Sequence, residues 1–498
     1  MTAVDGNIAT TEVRGGTTGS LDMNKTNAPV LVAVLALAAL SGGMRLAAQP
    51  VDSQSLVLTH ASIIDVTNGA VHSDQTLVVT SSRVQALGNY SAIKIPKGSK
   101  TVDATGKYVI PGLWDSHVHT RYQGIPSLAL FILNGVTSVR DTAGPWTQLE
   151  QIKEWKHEMV AGRLLGPRII AAGPLLDGIN SRWTHGVIVN SPDEGRRAVR
   201  DVKAKGGDFV KVYDLLSRDT YFAIVDETKK VALTFSGHVP FSISAGEASD
   251  AGQSPIEHLA GFLLAASTKE DELRRQQLEG KNPSNTVLLD TYSEAKASAL
   301  IAKFARNNTV QDPTLSLFWT DVEASKKNPQ IVSGQRLQYI PAGYREQWAN
   351  FRGGFGGDLA TRQRVFEKYK ETVATMQKAG LVLITGTDTL KPYLVPGYSL
   401  QDELEQLAAA GLSPLQVLQA ATINPAKVFK IADLGTVETG KIADLVLLDG
   451  NPLENIGNTR KIFAVVANGR LVDKAALELL ARETKNSVAA WKGTPTGR

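Results

Sequence analysis

Between residues 108 and 430 of this 498-residue chain, short apolar runs alternate eight times with longer amphipathic stretches. Few architectures accommodate that rhythm. The apolar runs, at residues 108–110, 136–140, 168–172, 209–213, 234–239, 254–259, 309–315 and 381–388, are rich in the β-branched and aromatic residues that favour strands. The stretches between them carry helix punctuation. Ser191-Pro192-Asp193-Glu194 is a capping box with proline at the first helical position, and Ser244 can cap a short helix ending at Gly252. Gly135 and Gly411 stand where C-terminal caps belong. Eight β-α units in ~300 residues predict an α/β fold of the TIM (β/α)8 barrel type, with its chemistry at the C-terminal ends of the strands. A doubly wound sheet is the alternative, but no Gly-x-Gly-x-x-Gly or phosphate loop follows any of these strands.

Both chain ends read differently. Residues 56–110 hold several short strands with an Asn68-Gly69 turn between two of them, and residues 435–472 hold a matching set with Asn468-Gly469. Neither set closes a core alone, so a small β-sandwich built from both ends is expected beside the barrel. The expected division is 1–50 as an N-terminal extension with a signal peptide, 51–110 and 431–475 as the two parts of the sandwich, 111–430 as the barrel, and 476–498 as a C-terminal tail. Two connections are long, residues 261–292 and 318–359. The second carries Trp319, Tyr339, Tyr344, Trp348 and Phe351, as a substrate wall or lid would. The first is strongly charged and reads as a surface insertion.

A net charge of +4 with no long Lys/Arg tract gives no reason to expect nucleic acid. The chain has no cysteine, which excludes disulfides and thiolate ligands and leaves His, Asp, Glu or a modified Lys to hold a metal. Lys25, an uncharged apolar run at 28–40 and the small pair Ala47-Ala48 have the layout of a secretory signal peptide, too short for a comfortable membrane span. Asp5, Glu12 and Asp22 are foreign to such a leader, so translation is expected to begin at Met23, and the product to be exported to the periplasm or the exterior. An uncleaved anchor is the competing reading.

Candidate ligands sit at the strand ends. Pro111-Gly112 breaks the first run, and His117 and His119 follow with one residue between them, so in extended backbone they face the same side. The fourth strand carries Lys211 inside an apolar run, the fifth ends at His238, the sixth at His258 and the eighth at Asp388. His60, His72 and His157 fall outside these positions. Each residue alone has an ordinary structural explanation, but together they converge on one end of one barrel with nearly the ligand count that two divalent ions need. A protonated lysine cannot ligate a metal; a neutral amine there can react with carbon dioxide, and the carbamate offers two oxygens.

These residues, together with Gly135-Val136-Thr137-Ser138-Val139-Arg140-Asp141, His238-Val239-Pro240, Asn424-Pro425-Ala426 and the tail segment from Gly435 to Leu445, resemble the amidohydrolase superfamily. The likeness is to its prolidase-like and imidazolonepropionase-like branch, and runs from about Leu56 to Val472. The resemblance implies a first ion on His117, His119 and Asp388, a second on His238 and His258, a carboxylated Lys211 bridging them, and zinc as the metal. It implies that a shared hydroxide attacks the scissile carbonyl while Asp388 moves the proton. Tyr213 is then a candidate oxyanion donor, and His185 a candidate substrate contact. Gln401 stands where relatives commonly have histidine, which bears on substrate preference. The implied activity is cleavage of an amide bond in a dipeptide or N-acyl amino acid, the alternative being a cyclic amide or lactone on the same site. Arg140, Arg182 and Arg218 are candidates to hold a substrate carboxylate. The expected partner is a small-molecule substrate, with a homo-oligomer possible and no membrane insertion after cleavage. An inactive relative serving as a scaffold would have lost ligands, and here every position is filled.

Overall fold

A computed structural model gives the structure, which describes residues 54–122 and 124–491. The expected signal segment and the start at Met23 lie outside the described residues. Among the described residues no helix is long and apolar enough to cross a membrane.

The two chain ends meet in one eight-stranded sheet. Its hydrogen-bonded path runs Arg470–Val472, Ile462–Ala467, Leu445–Leu448, Tyr108–Pro111, Leu56–Ile64, Val71–Thr80 and Arg83–Asn89, with Lys100–Asp103 also lying along Leu56–Ile64. The far edge curls back: Val84 donates to the Lys441 carbonyl and Gly440 to the Val84 carbonyl. The expected sandwich is therefore a single continuous sheet folded over a core that includes Leu58, Leu77, Val109 and Val466. Strand Leu445–Leu448 shows how it joins the rest. Leu445 and Leu447 point into that small core, whereas Val446 and Leu448 point into the large one, as the period of two dictates. Helix Lys474–Ala489 follows, and its Leu480 packs with Ala129 and Ile132 of helix Ile125–Leu133.

Strand Tyr108–Pro111, which the sequence reading counted both among the eight barrel runs and within the 51–110 part of the sandwich, belongs to this sheet. Pro111-Gly112 hands the chain over, and the first barrel strand is Leu113–Val118, with His117 inside it. The strands that follow are parallel. Leu113–Val118 pairs with Val136–Asp141, which pairs with Arg168–Ala171. A second parallel sheet contains Phe209–Val212, Thr234–Gly237, Ile256–Glu257 and Gln311–Asp312. Asp208 joins the two: its amide donates to the Ala171 carbonyl, and its carboxylate accepts from the Ala171 amide. The eighth predicted run is no continuous strand. Its backbone nonetheless bonds to both neighbours, with Ile384 donating to the Gln311 carbonyl at 3.0 Å and Asp388 to the His117 carbonyl at 2.8 Å.

The helices follow their local signals. Ser191 accepts from the Glu194 amide with Pro192 at the first position, and Ser244 and Glu247 form a reciprocal capping box on a helix that ends at Gly252. The stretch 261–292 folds into three short helices, Phe262–Ala265, Glu270–Leu278 and Asn285–Asp290. The seventh strand ends earlier than its apolar run suggested, because Thr314 turns left-handed and opens helix Leu315–Ser325. Residues 318–359 continue through further short helical segments, among them Ala342–Ala349.

Candidate active site

A cavity of about 730 Å³ opens at the C-terminal ends of the parallel strands, and the side chains singled out from the sequence meet there. His117, His119, Lys211, Tyr213, His238, His258, Asp388 and His185 all line it. Two glycines make the approach possible. Gly237, at φ +133°, leaves no room for a Cβ against the Val212 carbonyl just before His238, and a Cβ on Gly386 would strike Asp312 and His117. His258 and Asp388 themselves hold positive φ values of 56° and 59°. Such backbone costs energy in non-glycine residues and clusters at functional sites.

Three of the four imidazoles turn Nδ1 to an outer hydrogen-bond partner. His119 Nδ1 lies 3.3 Å from the Ala143 carbonyl, and His238 Nδ1 lies 2.8 Å from Asp214 Oδ1. His258 Nδ1 lies 2.8 Å from Thr314 Oγ1, whereas His117 Nδ1 has no hydrogen-bond partner among the described residues and lies 3.4 Å from Asp312 Oδ2. Outer partners of this kind fix the ring and present Nε2 as the ligand. Asp388 Oδ1 then lies 2.8 Å from His119 Nε2 and 3.6 Å from His117 Nε2. His117, His119 and Asp388 form a donor set that could hold a divalent metal.

The other side of the cavity carries charge that sequence reasoning left unassigned. Lys211, almost fully buried, is ion-paired with Glu257 Oε2, while both terminal nitrogens of Arg140 lie 3.0 Å from Glu257 Oε1. Burial alone would push Glu257 up, but Lys211 and Arg140 outweigh it and hold the carboxyl at about 2. Asp312 is fully buried, neither of its oxygens has a hydrogen-bond partner among the described residues, and burial raises it well above the usual carboxylate range. Burial also holds His258 at about 3, so that imidazole is neutral. At Asp388 burial raises the carboxyl, but Lys391 and the neighbouring histidines prevail and keep it ionised.

Tyr213 accepts a hydrogen bond on its hydroxyl from Arg182 at 3.1 Å and lies against His238, with ring centroids 4.2 Å apart; burial pushes its phenol up. His185 stands exposed on the rim, where partial burial and the nearby Arg121 lower it. Of the three arginines considered for a substrate carboxylate, Arg182 lines the cavity, Arg140 is buried on Glu257, and Arg218 pairs with Glu247 away from the cavity lining. Gln401 is also no substrate contact. It is buried, donating to the Asn134 carbonyl and accepting from Thr459. The segment 342–355 walls the cavity with Tyr344, Trp348, Phe351 and Phe355, whereas none of residues 261–292 lines it.

Asp214, Glu257, Asp312 and Lys391 were missed. Three of them had a readable signal, a charged residue inside or at the end of an apolar strand, the same signal that singled out Lys211. Lys391 sits three residues past Asp388 in a loop, where no periodicity marks it.

Among solved structures, the chain is similar to a bottromycin amidohydrolase at 21% identity and a TM-score of 0.67, over 90% of this chain and 92% of the other. It is also similar to a Xaa-Pro dipeptidase with methionine in its active site, at 20% identity and a TM-score of 0.61, over 84% of this chain and all of the other. A prolidase bound to N-methylphosphonate-L-proline gives 21% identity and a TM-score of 0.62 over the same shares. Curated relatives match over shorter stretches. A dihydroorotase of Trichlorobacter lovleyi is 38% identical over 73 residues, 14% of this chain and 16% of that one. An adenine deaminase of a Bradyrhizobium species is 31% identical over 113 residues, 20% of this chain and 19% of that one. The chain thus spans less than a fifth of the length of either curated relative. The amidohydrolase family matches residues 108–472, from the strand that hands the chain into the site to the last strand of the small sheet, and the chain belongs to that family.

Proposed function

We propose that this chain is a binuclear metal-dependent hydrolase that cleaves the amide bond of a dipeptide or an N-acyl amino acid. The observation that carries the reading is the convergence of four imidazoles, three of them backed at Nδ1, on Asp388 and Lys211 at the floor of one cavity. The family and the prolidase and dipeptidase likenesses support amide chemistry. The bonds from Ala171 to Asp208, and from residues 384 and 388 to their two neighbours, support reading the eight strands as one closed barrel.

His117, His119 and Asp388 would hold one ion, His238 and His258 the other, with a carboxylated Lys211 between them and zinc as the metal. When bound, such a pair supplies a nucleophile from water at neutral pH and polarises the scissile carbonyl. Asp388 has one oxygen toward the histidines and the other toward the cavity cation Lys391, so it is placed to take the proton of the attacking water and deliver it to the leaving nitrogen. Tyr213, its hydroxyl oriented by Arg182, donates to the oxygen that becomes negative. His185 meets the substrate at the rim. Carboxylation of Lys211 requires that it leave Glu257, which keeps Arg140 as its counter-ion. Export through the N-terminal segment is part of the same reading.

The test is to strip the protein with a chelator, reload it with zinc, and follow hydrolysis of a panel of N-acyl amino acids and dipeptides. Activity should vanish on stripping and return with zinc. Hydrolysis that persists in the stripped protein, or a reloaded protein inert toward every amide, would contradict the proposal.

A further inference from the structure

The cavity contains a cation whose position relative to Asp388 says which part of the substrate is charged. Lys391 Nζ lies 3.8 Å from Asp388 Oδ2 and 5.0 Å above the ring of Trp183. The first distance is too long for a hydrogen bond, which needs ~2.8–3.0 Å, so Lys391 is near the carboxylate without being bonded to it. Its side chain is about a third exposed and lines the cavity, and the Trp183 face holds the ammonium in place. Of the other cations considered for this role, Arg140 is buried on Glu257 and Arg182 is bonded to Tyr213.

Amide hydrolysis adds water across the C–N bond: the oxygen goes to the acyl carbon, the bond to nitrogen breaks, and the nitrogen gains a proton. On the reading above, Asp388 delivers that proton, so the nitrogen sits one hydrogen bond from an Asp388 oxygen. In an α-amino acid the carboxylate carbon lies about 2.5 Å from that nitrogen, two covalent bonds away. A carboxylate oxygen bonded to Lys391, an amide nitrogen bonded to Asp388, and the 3.8 Å between those two side chains close a four-sided figure without strain.

We propose that Lys391 is a specificity-determining residue that binds the α-carboxylate of the amine-side residue, so that the leaving group is a free α-amino acid rather than an amino-acid amide, an ester or a simple amine. This rests on the amide-hydrolase reading and goes beyond it in assigning the charged end of the substrate. The aromatic wall of Tyr344, Trp348 and Phe351 lines the same cavity and offers an apolar surface to the acyl side.

The test uses the zinc-loaded full chain with matched pairs of substrates, N-benzoyl-L-phenylalanine against its α-carboxamide and the equivalent pair with leucine. Wild type should favour the free acid by on the order of 100-fold in kcat/KM, carried by KM. Lys391→Met should collapse the ratio toward one, and Lys391→Arg should retain part of it. Calorimetry of free L-phenylalanine should show binding to wild type and at least tenfold weaker binding to Lys391→Met. Equal turnover of acid and carboxamide by wild type overturns the assignment while leaving the amide-hydrolase reading standing, as does a preference that survives in Lys391→Met. If wild type hydrolyses neither member of any pair, the amide reading fails and the assignment falls with it.

Discussion

The two halves of the site group their donors differently. Where the first and eighth strand segments meet, His117, His119 and Asp388 already face one another as a donor set, with a carboxylate 2.8 Å from an imidazole. Across the cavity, His238 and His258 are oriented by Asp214 and Thr314, and the carboxylate grouped with His258 is Glu257. That carboxylate is also ion-paired with Lys211. On the proposed reading the second ion depends on a covalent change at Lys211 that the first does not need, so the two ions should load unequally.

The largest expected effect breaks the first half. Asp388→Asn removes both a ligand and the proton carrier, and hydrolysis of any amide substrate should fall by at least about 10³-fold; turnover near that of wild type would refute the role given to Asp388. Lys211→Met sharpens the contrast, because it should lower zinc content measured by mass spectrometry from two per chain to one. Loss of both ions, or retention of both, would show that the halves are not independent in this way. Asp214→Asn removes the partner of His238 Nδ1 and should weaken the second ion by about 10- to 100-fold while the first is held. Trp348→Ala, in the aromatic wall, should raise KM by about tenfold for aromatic acyl groups and far less for acetyl, since it removes contact area and no charge.

The smallest effect is one of stability. In the folded protein His258 titrates at about 3, against about 6.5 for an unfolded histidine. Between those values the unfolded chain binds one more proton, so the stability this residue contributes is present above pH ~6.5 and is lost as the pH falls. In the metal-free protein, His258→Gln should therefore lose less stability than wild type on going from pH 7 to pH 5 in urea titrations. Parallel curves would show that the imidazole is not held neutral.

The comparison also explains what could be read in advance. His117, His119, His238, His258 and Asp388 were legible because a polar residue at the end of an apolar strand is conspicuous, and strand ends of parallel α/β folds gather at one face. Glu257 and Asp312 carried the same mark but stand beside stronger candidates, and only coordinates reveal that Glu257 pairs with Lys211. Tyr108–Pro111 was assigned to the barrel because Pro111-Gly112 reads as a strand terminator; in the fold it is the junction between two cores. Gln401 was noticed as a departure from relatives, yet its amide is spent on Asn134 and Thr459. A departure marks a changed contact without saying with what. The wall at 342–355 was suggested by its aromatic content, while the position of Lys391 depends on how the loop after Asp388 returns to the cavity.

Anomalous diffraction at the zinc edge from crystals of the zinc-loaded protein tests the central claim most directly. It should show two peaks on the cavity floor, one contacted by His117, His119 and Asp388 and the other by His238 and His258, with Lys211 turned off Glu257 and extended by one carboxyl group between them. A single peak with Lys211 still on Glu257, or density for zinc anywhere outside this cage, would contradict it.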